Sequence, residues 1–233
     1  MQTHYDDSTR TLDDIAVDLQ LLAANLDHRH RQQRKIQFLL DIRGYLMMNS
    51  VAGNYAEFGI FRGEMMYNAH HILGHLGLLR RYLGFDNFAG EPSMTPEEQS
   101  RLPFITEGDY KANEVETRAF LEKHIGAEKL EIIVGDFRDP VIHNRMPNEP
   151  VAVGVIDCNL PSSIESALNL LLPQMSNGAA LFLDDYFLNI TANGFWHEEA
   201  LSHALSRHRK RLVYFQTYAP CAQSFFVFDN HAA

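Results

Sequence analysis

The sequence predicts a Rossmann-like α/β fold: a mostly parallel seven-stranded sheet, a C-terminal antiparallel hairpin and N-terminal cap helices. Three observations predict it. Short apolar runs alternate with amphipathic stretches from residue 54 onward. The first of these runs ends in a glycine-containing turn, NYAEFGIFRG. The chain closes on two β-rich runs, RLVYFQTY and QSFFVFD, separated only by APCA.

The elements follow in order. Residues 1–10 read as a frayed polar tail, and two helical patterns follow over 11–27 and 30–49. Leu12, Ile15, Leu19 and Leu22 mark the first; Ile36, Leu39, Leu40 and Leu46 mark the second, near the spacing of an amphipathic helix. Strands are predicted at 54–58, 81–86, 130–134, 151–157 and 179–183, with helices near 63–76, 112–125, 162–172 and 195–208. Alternation of this kind implies parallel strands with helices on both faces. Residues 91–110 carry three prolines and no clear period, as expected of a lid loop. The chain thus divides into a helical cap, 1–49, and one Rossmann-like domain, 50–233.

Bulk composition narrows the function classes. With 233 residues, 45% of them hydrophobic, the chain can bury one large core. A formal net charge of −10 repels phosphates and argues against nucleic acid as a partner. The basic cluster Arg207–Arg211 reads as a solvated helix end. Two cysteines, Cys158 and Cys221, make no framework, which suits a reducing cytoplasm. No apolar N-terminal core and no run of about 18 apolar residues points to export or a membrane. The N-terminal helices have apolar faces that a homodimer could bury.

The chemistry-bearing residues gather at predicted strand ends, where open α/β sheets bind ligands. Glu57, Phe58, Gly59 and Gly63 form the first turn, whose helix N-terminus offers free N–H groups to a carboxylate. Asp86 and Asn87 end the second strand, at the spacing of a ribose-binding acid. Asp136 and Phe137, in VGDF, lie where an adenine edge would sit. A dinucleotide fingerprint of the G-x-G-x-x-G type is absent, which disfavours a nicotinamide oxidoreductase. Asp157 ends the fourth strand; Asp184 and Asp185 end the fifth. Three carboxylates at one rim need a cation or protons between them, and oxygen ligands suit Mg²⁺ or a similar divalent ion. His197, beside Trp196 after the fifth strand, is a candidate base or substrate contact. Met65–Met66 reads as core, and His70 and His71 as ordinary helix residues.

The ordered stretches YAEFGIFRG, YLGFDNFAG, EGDYKAN, IIVGDFRD, IDCNLPSSIESALNLLLPQMSNG and LFLDDY resemble the macrocin O-methyltransferase (TylF/MycF/NovP-like) family across about residues 50–190. The resemblance implies a class I methyltransferase fold, S-adenosylmethionine and a divalent metal. It also implies methylation of a small-molecule hydroxyl, often on a sugar. Matched by position, it gives Glu57 and Gly59 to the cofactor turn, Asp86 to the ribose, and Asp157, Asp184 and Asp185 to the metal. The family pattern Asp-x-Asp-Leu-Tyr is here Asp157-Cys158-Asn159-Leu160-Pro161, so the family's base position holds the amide of Asn159. An amide takes no proton near neutral pH. A metal-bound hydroxyl with its pKa lowered, losing its proton to solvent or His197, is the expected alternative. N- or C-methylation, another S-adenosylmethionine reaction, or a non-catalytic partner protein are the rival readings.

Overall fold

The computed structural model describes residues 12–192 and 194–230, with side chains from residue 30 onward. In chain order the elements are α1 (Leu12–Met48), β1 (Gly53–Phe58), α2 (Glu64–Leu73), β2 (Leu79–Asp86), α3 (Pro96–Arg101), α4 (Glu114–Ile125), β3 (Leu130–Val134), α5 (Pro140–His143), β4 (Val151–Ile156), α6 (Pro161–Leu171), β5 (Met175–Leu183), β6 (Ile190–Thr191), β7 (Gly194–Phe195), α7 (Trp196–His208), β8 (Lys210–Tyr218) and β9 (Ala222–Asp229). The main sheet runs β3-β2-β1-β4-β5-β9-β8. The first five strands are parallel; β9 is antiparallel to β5, and β8 to β9. The seven-stranded sheet with its closing hairpin is the architecture the alternation pattern predicts.

Where the chain differs from the sequence expectation, a local cause is visible. The two N-terminal helices are one helix of 37 residues. Nothing between 27 and 30 breaks it, since neither glycine nor proline occurs from Leu12 to Arg43. The stripe Leu12, Ile15, Leu19 and Leu22 lies outside the described side chains. In the second half the buried stripe is Phe38, Leu39, Ile42 and Leu46, and Leu40 is 47% exposed. The 91–110 segment holds α3, begun by a capping box in which Thr95 and Glu98 satisfy each other's backbone N–H groups. Helix α6 starts with Pro161 at its first turn, where the absent N–H has no helical partner to lose.

Apolar residues pack both sheet faces. One cluster joins Ile164, Leu168 and Leu171 of α6 and Leu201 of α7 to Leu181 and Phe225. The other joins Phe38, Leu39 and Ile42 of α1, and Met65 and Met66 of α2, to Tyr55 and Phe182. Helix α1 is seated by aromatic contacts: Phe38 lies 4.7 Å from Phe182, and Tyr45 stacks on Phe226 at 3.9 Å. The Tyr45 hydroxyl donates to the Gly178 carbonyl at 2.9 Å. A Cβ on Gly178 would stand 2.8 Å from that hydroxyl oxygen, so the residue must be glycine for the helix to sit this close. Among the described residues, no helix is long and apolar enough to cross a membrane.

Candidate active site

The chain order reverses between β1 and β4, so the crevice opens beyond their carboxyl ends. Backbone pairing continues past the strand ends: Asp157 N–H donates to the Phe58 carbonyl at 2.9 Å, joining β4 to β1, and Gly59 N–H donates to the Phe85 carbonyl of β2 at 2.8 Å. Gly59 has φ 87°, and a Cβ there would lie 2.2 Å from the Asp157 carbonyl oxygen. Glycine is thus required where the β1 turn passes the end of β4. A cavity of about 520 Å³ fills this crevice, within the range of roughly 300–1,000 Å³ for small-molecule sites.

Nine of the sequence-predicted residues line the cavity: Gly59, Asp86, Asn87, Asp136, Phe137, Asp157, Asn159, Asp184 and Asp185. Asp86 accepts from the Phe61 N–H at 2.8 Å and the Phe88 N–H at 2.7 Å, which ties the β1 turn to the end of β2. Each of its oxygens keeps a second lone pair for a ribose hydroxyl. Burial raises its pKa, and the backbone donors work against that rise. Asp136 is clasped by its neighbour: the Arg138 guanidinium donates to both oxygens at 2.8–3.1 Å. Phe137 meets Phe58 edge-on at 5.6 Å, and Phe58 stacks on Phe85 at 4.4 Å.

Four predicted residues do not line the cavity. The Phe58 ring is wholly buried in the core. Gly63 has φ 77°, and a Cβ there would meet Leu121 at 2.8 Å, so it serves the packing of α2 on α4. Glu57 is buried behind the wall, where the Tyr55 hydroxyl donates to it at 2.6 Å. Burial pushes its pKa up to about 8, with the Tyr55 bond opposing the rise. His197 is 1% exposed, with Nδ1 2.5 Å from the Asp185 carbonyl oxygen and Nε2 3.1 Å from that of Asn159. Burial lowers its pKa to about 4. A ring boxed between two carbonyls braces the chain after β4 against the chain after β5; it is not positioned as the base expected from the sequence. Cys158 donates to the Phe58 carbonyl at 3.4 Å, and burial pushes its thiol well above the usual range.

The three acids expected to hold a metal do meet, with oxygens within 4.8 Å of one another. Two side chains of α1, unforeseen from the sequence, meet them. Arg34 donates Nε to Asp184 Oδ1 at 2.9 Å and Nη2 to Oδ2 at 2.8 Å. Lys35 Nζ donates to Asp157 Oδ2 and lies 3.5 Å from Asp184 Oδ2. Burial opposes ionisation of Asp184, yet Lys35 and Arg34 hold its carboxyl below the usual carboxylate range. Burial and its two acidic neighbours push Asp185 up to about 7. Burial raises Asp157 to about 6 despite Lys35. Both oxygens of Asp184 and one of Asp157 are engaged by protein cations, so a divalent ion would meet positive charge already in place at two of the three carboxylates. The signal was present in the sequence: Arg34 and Lys35 stand four residues before Phe38 and Leu39, on the buried stripe of α1.

Glu91 is a second unforeseen group. The Asn159 side-chain amide donates to its Oε1 at 2.5 Å, and both residues line the cavity. Burial raises the Glu91 pKa, and the Asn159 bond opposes it. Glu91 is fixed by its backbone, whose N–H donates to Asp109 at 2.7 Å and whose carbonyl accepts from Gly108 at 2.9 Å. Phe104 and Tyr110, from the same segment, add aromatic surface to the cavity wall.

Comparison with known proteins gives a consistent picture. A family model described as macrocin O-methyltransferase (TylF) matches residues 10–217. The fold is similar to that of the O-methyltransferase NovP, with a TM-score of 0.63 and 18% identity over 83% of this chain and 79% of that one. It is also similar to CalS11, a calicheamicin methyltransferase: TM-score 0.64, 18% identity, 94% of this chain and 87% of that one. No curated protein sequence matches the chain.

Proposed function

The chain belongs to the macrocin O-methyltransferase (TylF) family, S-adenosylmethionine-dependent O-methyltransferases, and from that premise we propose that it methylates a hydroxyl of a small molecule with Glu91 as the proton acceptor. The observation that carries this reading is the Glu91 carboxylate held by the amide of Asn159 at the cavity wall. The family's base position has lost its acid at 159, and a carboxylate from the 91–110 segment stands beside it.

The cavity suits the cofactor in size and chemistry. The β1 turn at Gly59 would receive the methionine end, Asp86 and Asn87 the ribose, and Phe137 with Asp136 the adenine. When bound, S-adenosylmethionine supplies the methyl group, which bonds to the acceptor oxygen as the methyl–sulfur bond breaks. The protein's share is approach geometry, exclusion of water and removal of the hydroxyl proton. That proton passes to Glu91, and the Asn159 amide fixes the direction of the receiving carboxylate. Phe104 and Tyr110 flank the acceptor with apolar surface. An uncharged natural-product or sugar hydroxyl suits this acid-rich wall.

The test incubates the protein and S-adenosylmethionine with a panel of glycosides and phenols, and separately with amines. The demethylated cofactor and methylated product are read by mass spectrometry. Product with hydroxyl compounds is expected. Turnover confined to amines overturns the reading.

A further inference from the structure

Acids at the ends of adjacent strands repel one another, and Asp157, Asp184 and Asp185 crowd their oxygens within 4.8 Å. A divalent ion relieves such crowding in many sites. In this chain the positive charge reaches the same place from within the polypeptide. Arg34 forms a two-pronged bond across Asp184, a geometry in which its fork matches a carboxylate. Lys35 bridges Asp157 and Asp184. The two cations are 7% and 9% exposed, so neither is a solvated surface group resting on the site by chance. A divalent ion on the three acids would compete with the Lys35 ammonium and the Arg34 fork for the oxygens of Asp157 and Asp184. It would also sit within a few ångströms of two like charges in a partly desolvated wall, where their repulsion is only weakly screened.

We propose that Arg34 and Lys35 are a built-in replacement for the metal, so that the acid cluster of this chain is completed by α1 and has no divalent-ion requirement. Lys35 stands in the ion's place, bridging the carboxylates after β4 and β5. Arg34 locks Asp184 so that it cannot turn to chelate. Both side chains line the cavity, so the ammonium also faces whatever lies next to Asp157. The two residues are positioning groups, acting through the carboxylates that they orient.

The experiment titrates Mn²⁺ into the full-length protein after chelator treatment, with calorimetry and electron paramagnetic resonance as readouts. It uses neither cofactor nor acceptor, so its outcome is independent of the methyl-transfer reading. Wild type is expected to show no saturable site below millimolar Mn²⁺. Lys35→Met, which keeps an unbranched apolar stem one atom shorter and removes the charge, is expected to bind Mn²⁺ at least tenfold tighter and to gain a Mn²⁺-dependent rise in Tm. One tightly bound ion per wild-type chain, at micromolar affinity, overturns the proposal. So does a folded Lys35→Met protein that gains no affinity. Should Lys35→Met fail to fold, the wild-type titration decides alone, and Arg34→Lys, which keeps a charge but loses the fork, supplies the second variant: a partial gain is expected, and none overturns the locking role of Arg34.

Discussion

Glu57 and Glu91 illustrate how one residue type meets two environments on the two sides of one cavity wall. Glu57 is sealed behind the wall, where the Tyr55 hydroxyl donates to it, and its pKa is raised from 4.5 to about 8. The unfolded chain releases that proton first as pH rises, so the native state binds more protons across the interval. Its contribution to stability is therefore full below about 4.5 and is lost as pH rises through about 8. Glu57→Gln mimics the protonated form at every pH. The Tm difference between the variant and wild type should widen in the variant's favour from about pH 6 to about pH 9, read by scanning calorimetry. Glu91, by contrast, lines the cavity. Glu91→Gln should lower turnover by roughly 10²–10⁴-fold, the range for losing a general base, with cofactor affinity unchanged. Wild-type rate should rise with pH through the raised Glu91 pKa, and that limb should vanish in the variant. Adding Asn159→Asp should restore part of the rate by returning an acid to the family's position. An unaltered rate in Glu91→Gln would remove the residue from the chemistry.

Elements decide which of these residues can meet. Asp86, Asp157, Asp184 and Asp185 were legible because strand ends share one rim in a parallel sheet. Gly59 was legible because a turn that passes another strand tolerates no Cβ. Glu91 was not legible, because its position depends on backbone bonds to Gly108 and Asp109 that no period in the sequence encodes. His197 follows β5 in the chain and so reads as a candidate contact, but the direction of its ring, inward between two carbonyls, is not encoded by that position. The T-x-x-E signature at Thr95–Glu98 was open to reading but was masked by the surrounding prolines. That signature anchors the whole segment. Glu98 is 2% exposed and accepts from the Thr95 N–H at 2.9 Å and from the Ser162 N–H at the start of α6 at 3.1 Å. Arg101, at the other end of α3, packs over the Trp196 ring at 4.7 Å. Glu98→Ala should cost about 1–3 kcal/mol by leaving two backbone donors unpaired. Urea denaturation measures the loss, and hydrogen exchange at Ser162 should accelerate. An unchanged midpoint would mean that the segment is held by its apolar contacts to Leu160 and Trp196 alone.

Across the molecule, the crevice draws on α1, the turns after β1, β2, β3, β4 and β5, and the segment around α3. A ligand there adds contacts to parts of the chain that already meet through a few polar bonds, such as Arg34 to Asp184 and Asn159 to Glu91. Binding should therefore stabilise the fold as a unit: free S-adenosylmethionine at 100 times its Kd should add about 2.7 kcal/mol, seen as a rise in Tm. Asp86→Ala should weaken that affinity by roughly 1–3 kcal/mol, the value of one hydrogen bond to a charged group. Absence of any Tm shift with either cofactor form would remove the cavity as the cofactor site.

The bond between Arg34 and Asp184 spans 150 residues of sequence. A ribosome adding about 5–20 residues per second makes Arg34 roughly 8–30 s before it makes Asp184. During that interval the helix carries two positive side chains on its apolar stripe with no acid to receive them. Neither charge can be buried cheaply until β4 and β5 exist. Helix α1 should thus be held off the growing sheet by its own chemistry and dock late. Completion of the charge cluster and docking of α1 would then be one event, reached only once the chain through β5 and Asp184 has emerged.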